Sequence, residues 1–380
     1  MESSLNIGKI FGIPIRLHFT WFIIFILITA TLIAYLPAPG PYILWYRIVS
    51  GIIASLLFFL SILIHELAHS FVAIKNDIPV KDITLFVFGG VSRITKEANR
   101  PSTEILIALV GPLASICIAA IYFGIYRGLS NVDSLLATLA LWIAFLNAFM
   151  ALFNLIPGFP LDGGRVLRSV IWHNTGSFIR GTRTATIVGR AIGYVFIAGG
   201  LVMMFVPNPW FTGLWPGLWL LFVGSFQEIS ATISYREALL RDAIDGFTAR
   251  DIMAINFPVT PGDISIGQLV HQSMLSTGNK WFIVATDNRL QGLISLRNIK
   301  KVPHTQWDTK TVMDVMVPDN SLFTVHPDDD ALYILENMEE NNIYRVPVIN
   351  EGKIAGIISY DNLMHLPKIR SDLKMYKQKS

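Results

Sequence analysis

The chain has 380 residues, of which 52% are hydrophobic and only 15% are charged. Soluble domains usually carry about a quarter charged residues, so this composition indicates a membrane protein. The net charge of +3 is too small to indicate nucleic-acid binding. The single cysteine, Cys117, excludes a disulfide framework and a cysteine-based metal cluster. Residues 1–235 are mostly apolar runs, whereas the sequence from Arg236 onward is typical of a soluble protein.

The apolar part predicts a polytopic α-helical domain with six membrane-spanning helices, because a span needs about 20 apolar residues. The apolar stretches are Leu17–Leu36, Ile48–Ile74, Ile105–Tyr126, Ser134–Leu161 and Ala191–Gln227, and Pro207 and Pro209 divide the last into two spans. Lysine and arginine are concentrated before the first span and after the second and fourth. This bias predicts a multi-pass protein of the cell membrane with both termini in the cytoplasm.

The second stretch ends in His65-Glu66-Leu-Ala-His69. Side chains four residues apart lie on one face of a helix, so His65 and His69 can offer two imidazoles to one metal ion. With Glu66 as a general base, this spacing is typical of zinc metalloproteases. An amphipathic helix can match three fixed positions by chance. However, the uncharged run Ile48–Ile64 places the motif at membrane depth, where ionisable groups are costly and mark functional sites.

A catalytic zinc ion typically has three protein ligands, so the motif predicts one more polar group at the same depth. The fourth stretch ends in Asn154-Leu-Ile-Pro157-Gly-Phe-Pro160-Leu-Asp162, and its prolines cannot continue a helix. Spans two and four run in the same direction, so Asp162 reaches the depth of the histidines. Alone it could be an aspartate at a helix end; beside the first motif, a metal ligand is favoured. Asn154 either orients substrate or an oxyanion, or satisfies backbone groups that Pro157 leaves free.

Between spans two and three, the stretch Asp82–Ile94 is rich in β-branched and aromatic residues and contains Gly89-Gly90. This composition predicts one or two strands beside the membrane. Two interpretations stay open. The strand edge could receive an extended substrate peptide by β-augmentation, or the segment could be a small hairpin that caps the helix bundle.

Together, the two motifs resemble those of the site-2 protease family of intramembrane zinc metalloproteases, and the resemblance spans all six predicted helices. It implies a catalytic core made of spans two to four, with one zinc ion bound by His65, His69 and Asp162. It also implies that Glu66 activates a water molecule and that the substrate is another membrane protein. The segment with Gly89-Gly90 resembles the one that follows the first motif in that family.

The soluble part contains an internal repeat. Arg250-Asp-Ile-Met253 is echoed by Met313-Asp-Val-Met316, and Gly292-Leu-Ile-Ser295 by Gly356-Ile-Ile-Ser359. Each copy predicts helix, strand, turn, strand and helix, with the helix of the second copy over Asp328–Asn341. The pattern resembles a tandem pair of α/β CBS modules in the cytosol. We place the modules at 247–304 and 305–366, after a linker at 236–246 and before a basic tail at 367–380.

This second resemblance implies an adenine nucleotide such as ATP or AMP as a regulatory ligand, and a homodimer formed through the CBS pair. The candidate nucleotide-binding residues are Ser295, Asn298, Ser359, Asp361 and Asn362. The family pattern has an acidic residue where Asn298 and Asn362 stand, and Asp361 lies one place early. The pair therefore either binds nucleotide and gates substrate entry, or only dimerises or packs under the membrane domain.

Two other classes of protein compete with a protease. A CBS-gated transporter or channel would need polar groups distributed along a path through the membrane, whereas here they are concentrated in two motifs. A catalytically inactive membrane scaffold would be expected to lack at least one of His65, Glu66, His69 or Asp162, and all four are present.

Overall fold

The chain divides into two units, Met1–Ala238 and Leu239–Ser380. The computed structural model describes residues 4–35, 43–87, 89–94, 97–131, 134–205 and 214–364. The basic tail predicted at 367–380 lies outside the described residues.

Seven helices are described in or beginning in the first unit. They are α1 (Thr20–Tyr35), α2 (Ile43–Lys75), α3 (Pro101–Leu129), α4 (Ser134–Asn154), α5 (Asp162–Thr175), α6 (Phe178–Phe205) and α7 (Leu214–Ile244). Four of them, α2, α3, α4 and α6, are long and apolar enough to cross a membrane, and α1 contains a shorter apolar helix. The first unit is therefore a polytopic α-helical membrane domain. Residues 236–244, predicted as part of a linker, continue α7.

The predicted fourth span is interrupted. α4 ends at Asn154, residues 155–161 form turns and bends, and Asp162 begins α5. Pro157 and Pro160 lack the backbone N–H that a continuing helix needs, which is why the chain leaves the helix here. The second helix, which the sequence analysis did not predict, turns Asp162 from the end of a span into the first residue of a new element.

A four-stranded sheet packs on the helix that carries the first motif. Its strands are β1 (Ser4–Ile10), β2 (Ile13–His18), β3 (Val80–Phe86) and β4 (Gly89–Ile94), in spatial order β1-β2-β3-β4. β2 pairs with β3 in parallel, and the other pairs are antiparallel. The strands predicted within Asp82–Ile94 are thus confirmed as β3 and β4, while the N-terminal hairpin was not predicted.

Buried contacts hold this sheet together and against α2. Ile13, Ile15 and Ile83 form a buried cluster that packs against Leu63 and Leu67 of α2. The fully buried carboxylate of Asp82 in β3 is paired with Arg93 of β4, and Arg16 Nε of β2 lies 3.5 Å from Asp82 Oδ2. The charge of Asp82 is therefore compensated inside the sheet.

Residues 239–364, the described part of the second unit, form two sheets. One consists of β5 (Val259–Thr260), β6 (Trp281–Thr286), β7 (Arg289–Ser295) and β8 (Val317–Pro318) in that order, and the other of β9 (Arg345–Asn350) and β10 (Lys353–Ser359). The helical elements are α8 (Ala249–Ile252), a segment over 266–277 with a π-helical part at Leu269–Met274, α9 (Leu296–Ile299) and α10 (Ala331–Asn341). Short 3₁₀ turns lie at His304–Gln306 and Asp319–Ser321.

The repeat is visible in the hairpins of the two copies. β6 and β7 are joined by Asp287-Asn288, and β9 and β10 by Glu351-Gly352, all four residues having positive φ. Such two-residue turns match the twist of the strands that they join. The helix predicted over Asp328–Asn341 was wrong at its start, because it begins at Ala331. Asp330 precedes it and accepts hydrogen bonds from Leu332 N at 2.8 Å and Tyr333 N at 3.1 Å.

Candidate metal centre

Three side chains from two stretches of chain converge at the first motif. His65 Nε2 and His69 Nε2 lie 3.1 Å apart, and Asp162 Oδ2 lies 3.3 Å from His65 Nε2 and 3.2 Å from His69 Nε2. Both histidines are buried in α2. Together with Asp162 they form the only group of three or more His, Cys, Asp or Glu side chains among the described residues that could hold one metal ion. The structure thus brings together the three ligands predicted from the sequence.

Hydrogen bonds on the far side of each imidazole fix which nitrogen faces the centre. His69 Nδ1 lies 2.6 Å from the carbonyl oxygen of Ile107, which can only accept, so Nδ1 carries the proton. His65 Nδ1 lies 2.9 Å from Ser115 Oγ, and that hydroxyl donates to Gly111 O at 3.3 Å. His65 Nδ1 therefore also donates. Both Nε2 atoms then present lone pairs, as metal-binding histidines do.

The donor set fits a zinc ion. Two imidazole lone pairs and a carboxylate oxygen face one another with no proton to share, and Asp162 Oδ2 is buried without a satisfactory hydrogen bond. A tetrahedral zinc ion at 2.0–2.2 Å from its ligands would separate them by about 3.3–3.6 Å, close to the edges of this triangle. A cation at this position would remove the repulsion among the three acceptors, which no donor of the described residues relieves.

Glu66 lies on the adjacent face of α2. Its Oε2 accepts a hydrogen bond of 2.6 Å from Ser92 Oγ on β4. Gly90, on the same strand, packs so closely that an added Cβ would overlap Glu66 Cγ. The predicted general base is therefore held between the motif helix and β4, one residue from the ligand His65.

A buried ion pair anchors the helix that begins with Asp162. The guanidinium of Arg168 in α5 is paired with Glu104 in the first turn of α3, and both side chains are buried. Ser169 Oγ donates to Glu104 Oε2 at 2.7 Å, and Arg168 also stacks over the rings of Phe159 and Phe178. These contacts fix α5 against α3 and thereby fix the position from which Asp162 enters the centre.

The other predicted residues of the membrane domain have simpler surroundings. Asn154 Nδ2 donates to Met150 O at 3.0 Å, a bond within α4, and this bond ties Asn154 to its own helix. Gly89 opens β4 with a φ of 124°, a conformation that favours glycine. Gly90 is the glycine that contacts Glu66, so the Gly-Gly pair is brought to the centre while Asn154 is not held there by a hydrogen bond.

In the second unit, the predicted nucleotide-binding residues pair with one another. Ser295 N and Ser295 Oγ both donate to Asn298 Oδ1, which forms a capping box at the start of α9. In the second copy, Asn362 N donates to Ser359 Oγ at 3.3 Å. Asp361 is close enough to Arg345 to favour its charged form, although burial is the larger effect and lowers the pKa of Arg345. Ser295 and Asn298 therefore have a structural role that sequence reasoning did not assign.

Sequence reasoning missed three residues that touch the ligands or the base: Gly111, Ser115 and Ser92. A Cβ at Gly111 would overlap His69 Nε2. The signals were present, since Gly111 and Ser115 are four residues apart on α3 and Gly90 and Ser92 are two apart on β4. The two residues of each pair lie on one side of their helix or strand, but the sequence does not indicate which residues they contact.

Comparisons with known proteins identify the family of the chain. The family model described as Peptidase family M50 matches residues 53–136 and 123–199. The zinc metalloprotease MJ0392 of Methanocaldococcus jannaschii is 30% identical over 380 residues, covering 98% of this chain and 100% of that protein. The protein sll0528 of Synechocystis sp. is 30% identical over 373 residues, covering 94% of each chain. The chain belongs to peptidase family M50.

This M50 metalloprotease also contains a CBS domain, because a CBS family model matches residues 312–368. Among solved structures, the site-2 protease from Methanocaldococcus jannaschii is 28% identical with a TM-score of 0.44, covering 61% of this chain and 95% of that one. The resemblances to a zinc metalloprotease family and to CBS modules are confirmed. Membership of the family favours a metalloprotease over the transporter or channel considered above.

Proposed function

We propose that this M50 metalloprotease is an endopeptidase that cleaves membrane proteins within or near a transmembrane segment. One observation carries the proposal: His65 and His69 lie on α2, Asp162 lies at the start of α5 just after α4, and Glu66 is beside them. The two histidines are thus attached to a helix that is long and apolar enough to cross a membrane, and Asp162 follows a second such helix, α4, after a break of seven residues. A site at that depth is accessible to the peptide bonds of a membrane-embedded substrate.

We assign the roles as follows. His65 Nε2, His69 Nε2 and Asp162 Oδ2 hold one zinc ion per chain. When bound, zinc supplies a Lewis acid that makes water a stronger nucleophile and polarises the scissile carbonyl. Glu66 takes the proton of the attacking water on its carboxylate and returns it to the leaving nitrogen. Asn154 is assigned to the substrate or its oxyanion, for which it would have to turn away from Met150 O.

β4 is the proposed substrate-binding strand. Within the described residues it pairs with β3 on one side only, and Gly90 lies against Glu66. An extended peptide adding to the other side of β4 at Gly89-Gly90 would pass next to the base. A helical substrate hides its peptide bonds in hydrogen bonds, so pairing with a strand would hold it unwound.

For the topology, we propose six spans with both termini in the cytoplasm. α1 and α7 would add two spans to the four long apolar helices, and the arginines and lysines of the loops set the direction. The direction places the carboxyl end of α2 and the start of α5 on the cytoplasmic side. Water would then reach the centre from the cytosol.

We further propose that CBS modules at 247–304 and 305–366 form a homodimer, bind an adenine nucleotide and control substrate entry from the cytosol. The support is the internal repeat and the CBS match to its second copy. Calorimetric titration of the full-length protein with ATP, paired with a cleavage assay, tests the control. Binding that changes the cleavage rate is expected, whereas no binding and no effect would contradict it.

The protease assignment is tested by replacing the proposed base. Glu66→Gln keeps the shape of the side chain and removes its ability to take a proton, so we expect a zinc content equal to wild type. Cleavage of a purified transmembrane substrate in detergent should fall by about 10²–10⁴-fold. Full activity in this variant would contradict the role of Glu66, and cleavage by wild-type protein stripped of metal would contradict the metalloprotease mechanism.

A further inference from the structure

The motif helix presents two neighbouring faces to two different partners. His65 and His69 face α3 and Asp162, whereas Glu66 and Ser70, also four residues apart, face β4. Residues four apart share a helix face, so Ser70 is placed directly behind the proposed base. Ser70 is fully buried. None of the three candidate metal ligands lies on this second face, and its polar groups form a separate hydrogen-bond network.

Ser92 connects the members of this second face. Ser70 Oγ donates to Ser92 Oγ at 3.2 Å, and Ser92 Oγ donates to Glu66 Oε2 at 2.6 Å. A hydroxyl has one proton and two lone pairs, so Ser92 can receive from Ser70 while it donates to the carboxylate. The Glu66 carbonyl oxygen is a weaker alternative acceptor at 3.3 Å. The hydrogen bond to Oε2 is charge-assisted when Glu66 is ionised, and such bonds are short and strong.

The hydrogen bond from Ser92 makes the two carboxylate oxygens of Glu66 different from each other. Oε2 is engaged by Ser92, and no described residue forms a hydrogen bond to Oε1. Gly90 packs against the stem of the same side chain, where any larger residue would collide with Glu66 Cγ. Both contacts come from β4: Gly90 confines the stem of Glu66, and Ser92 orients its carboxylate. Oε1 is the oxygen left to exchange a proton with water and substrate.

We propose that Ser92 is a positioning residue for the general base Glu66, with Ser70 as its support. The inference rests on the proposed function of Glu66 and adds to it the device that orients the carboxylate. Because Ser92 lies on β4, the strand proposed to bind substrate also sets the geometry of the base. A side chain acting in this way changes the rate of the chemical step and leaves metal binding and substrate affinity alone.

A matched pair of variants tests this. Threonine and valine are both β-branched residues that suit a strand, and valine has a methyl group where threonine has its hydroxyl. Ser92→Thr therefore keeps the hydroxyl donor, and Ser92→Val removes it. Ser92→Val should lower kcat by about 10-fold or more with unchanged KM and zinc content, the size seen for lost supporting hydrogen bonds. Ser92→Thr should keep most of the activity. The control is Ser55→Ala. Ser55 is a buried serine of α2 that accepts a hydrogen bond from Thr29 Oγ1 and donates one to Gly51 O.

Each other outcome overturns the inference. A kcat of Ser92→Val equal to that of Ser92→Thr would show that the hydroxyl is not needed. A raised KM with normal kcat would assign Ser92 to the substrate, and lost zinc would assign it to the metal centre. Measuring Glu66→Gln in parallel distinguishes a failure of the positioning role from a failure of the proposed function. If Glu66→Gln is inactive and Ser92→Val is normal, only the positioning role fails; if Glu66→Gln is active, the proposed function fails.

Discussion

The two histidines of the motif have room to converge because α3 presents a glycine to them. Gly111 lies against both Nε2 atoms, and a Cβ there would stand where the ligand atoms meet. One turn further along α3, Ser115 accepts the Nδ1 proton of His65. At the scale of residues, the two histidines could be predicted from their spacing, and Asp162 from the topology that brings it to the same depth. The role of Gly111 could not be predicted, since a glycine in a membrane-spanning helix is also a common packing residue.

Replacing Gly111 with alanine should therefore damage the centre specifically. The added methyl group of Gly111→Ala overlaps His69 Nε2, so we expect the purified variant to lose most of its zinc and its cleavage activity. Gly124→Ala is the matched control in the same helix, because a Cβ at Gly124 meets no atom within 4 Å. Metal analysis of both variants decides the matter: equal zinc contents would show that α3 does not confine the ligands.

At the scale of elements, the site depends on how α5 and the sheet are held. The interruption between α4 and α5 could be expected from Pro157 and Pro160. The ion pair between Arg168 and Glu104 could not, because it joins residues from two helices with no local signal of their contact. The same holds for the parallel pairing of β2 with β3, which brings together strands more than sixty residues apart. Partner choice over such distances depends on the complete core.

Breaking the buried pair should destabilise the membrane domain and loosen the metal. Arg168→Met removes the closest cation from the buried carboxylate of Glu104 and leaves it the hydroxyl of Ser169 and Arg165 Nε at 3.8 Å. Breaking a buried ion pair costs about 3–5 kcal/mol, and the two contacts that stay reduce this loss. Thermal unfolding in detergent should show the loss, and zinc should dissociate faster because α5 carries Asp162. Arg180→Met, which changes an exposed arginine outside α5, serves as the control. Unchanged stability and zinc dissociation in Arg168→Met would contradict the role of the pair.

The two copies of the repeat share a capping interaction that predicts a response to acid. Backbone and hydroxyl hydrogen bonds from Thr248 lower the pKa of Asp251, and those from Thr311 lower the pKa of Asp314. A carboxylate with a lowered pKa in the folded state stabilises fully above its unfolded value of about 3.9. This contribution is lost as the pH falls through the folded pKa.

Replacing both aspartates should remove that part of the acid response. In the Asp251→Asn, Asp314→Asn double variant, amide protection over 247–254 and 310–317 should be lower at pH 7 than in wild type. The protection should then fall less on acidification. Hydrogen exchange of the full-length protein, corrected for intrinsic rates, measures both quantities, with the exposed Asp263→Asn as control. Wild-type protection at both pH values would contradict the capping role.

At the scale of the whole molecule, the sequence predicted the division into a membrane part and a soluble repeat from composition and periodicity. The protease family followed from two motifs far apart in the chain, and the comparisons confirm it. The proposed control by the CBS pair has less structural support than the metal centre. Ser295 and Asn298 form hydrogen bonds with each other in the capping box at the start of α9. A nucleotide that binds these residues would have to break those hydrogen bonds or form additional ones.

The central claim is that the convergence of His65, His69 and Asp162 is a zinc site. The most direct measurement is the zinc content of purified full-length protein, wild type against Asp162→Ala, with Asn154→Ala as a control that alters a nearby polar residue bonded only within its helix. Wild type and Asn154→Ala should each contain one zinc ion per chain, and Asp162→Ala should contain little. Equal zinc in wild type and Asp162→Ala, or no zinc in the wild-type protein, would contradict the assignment.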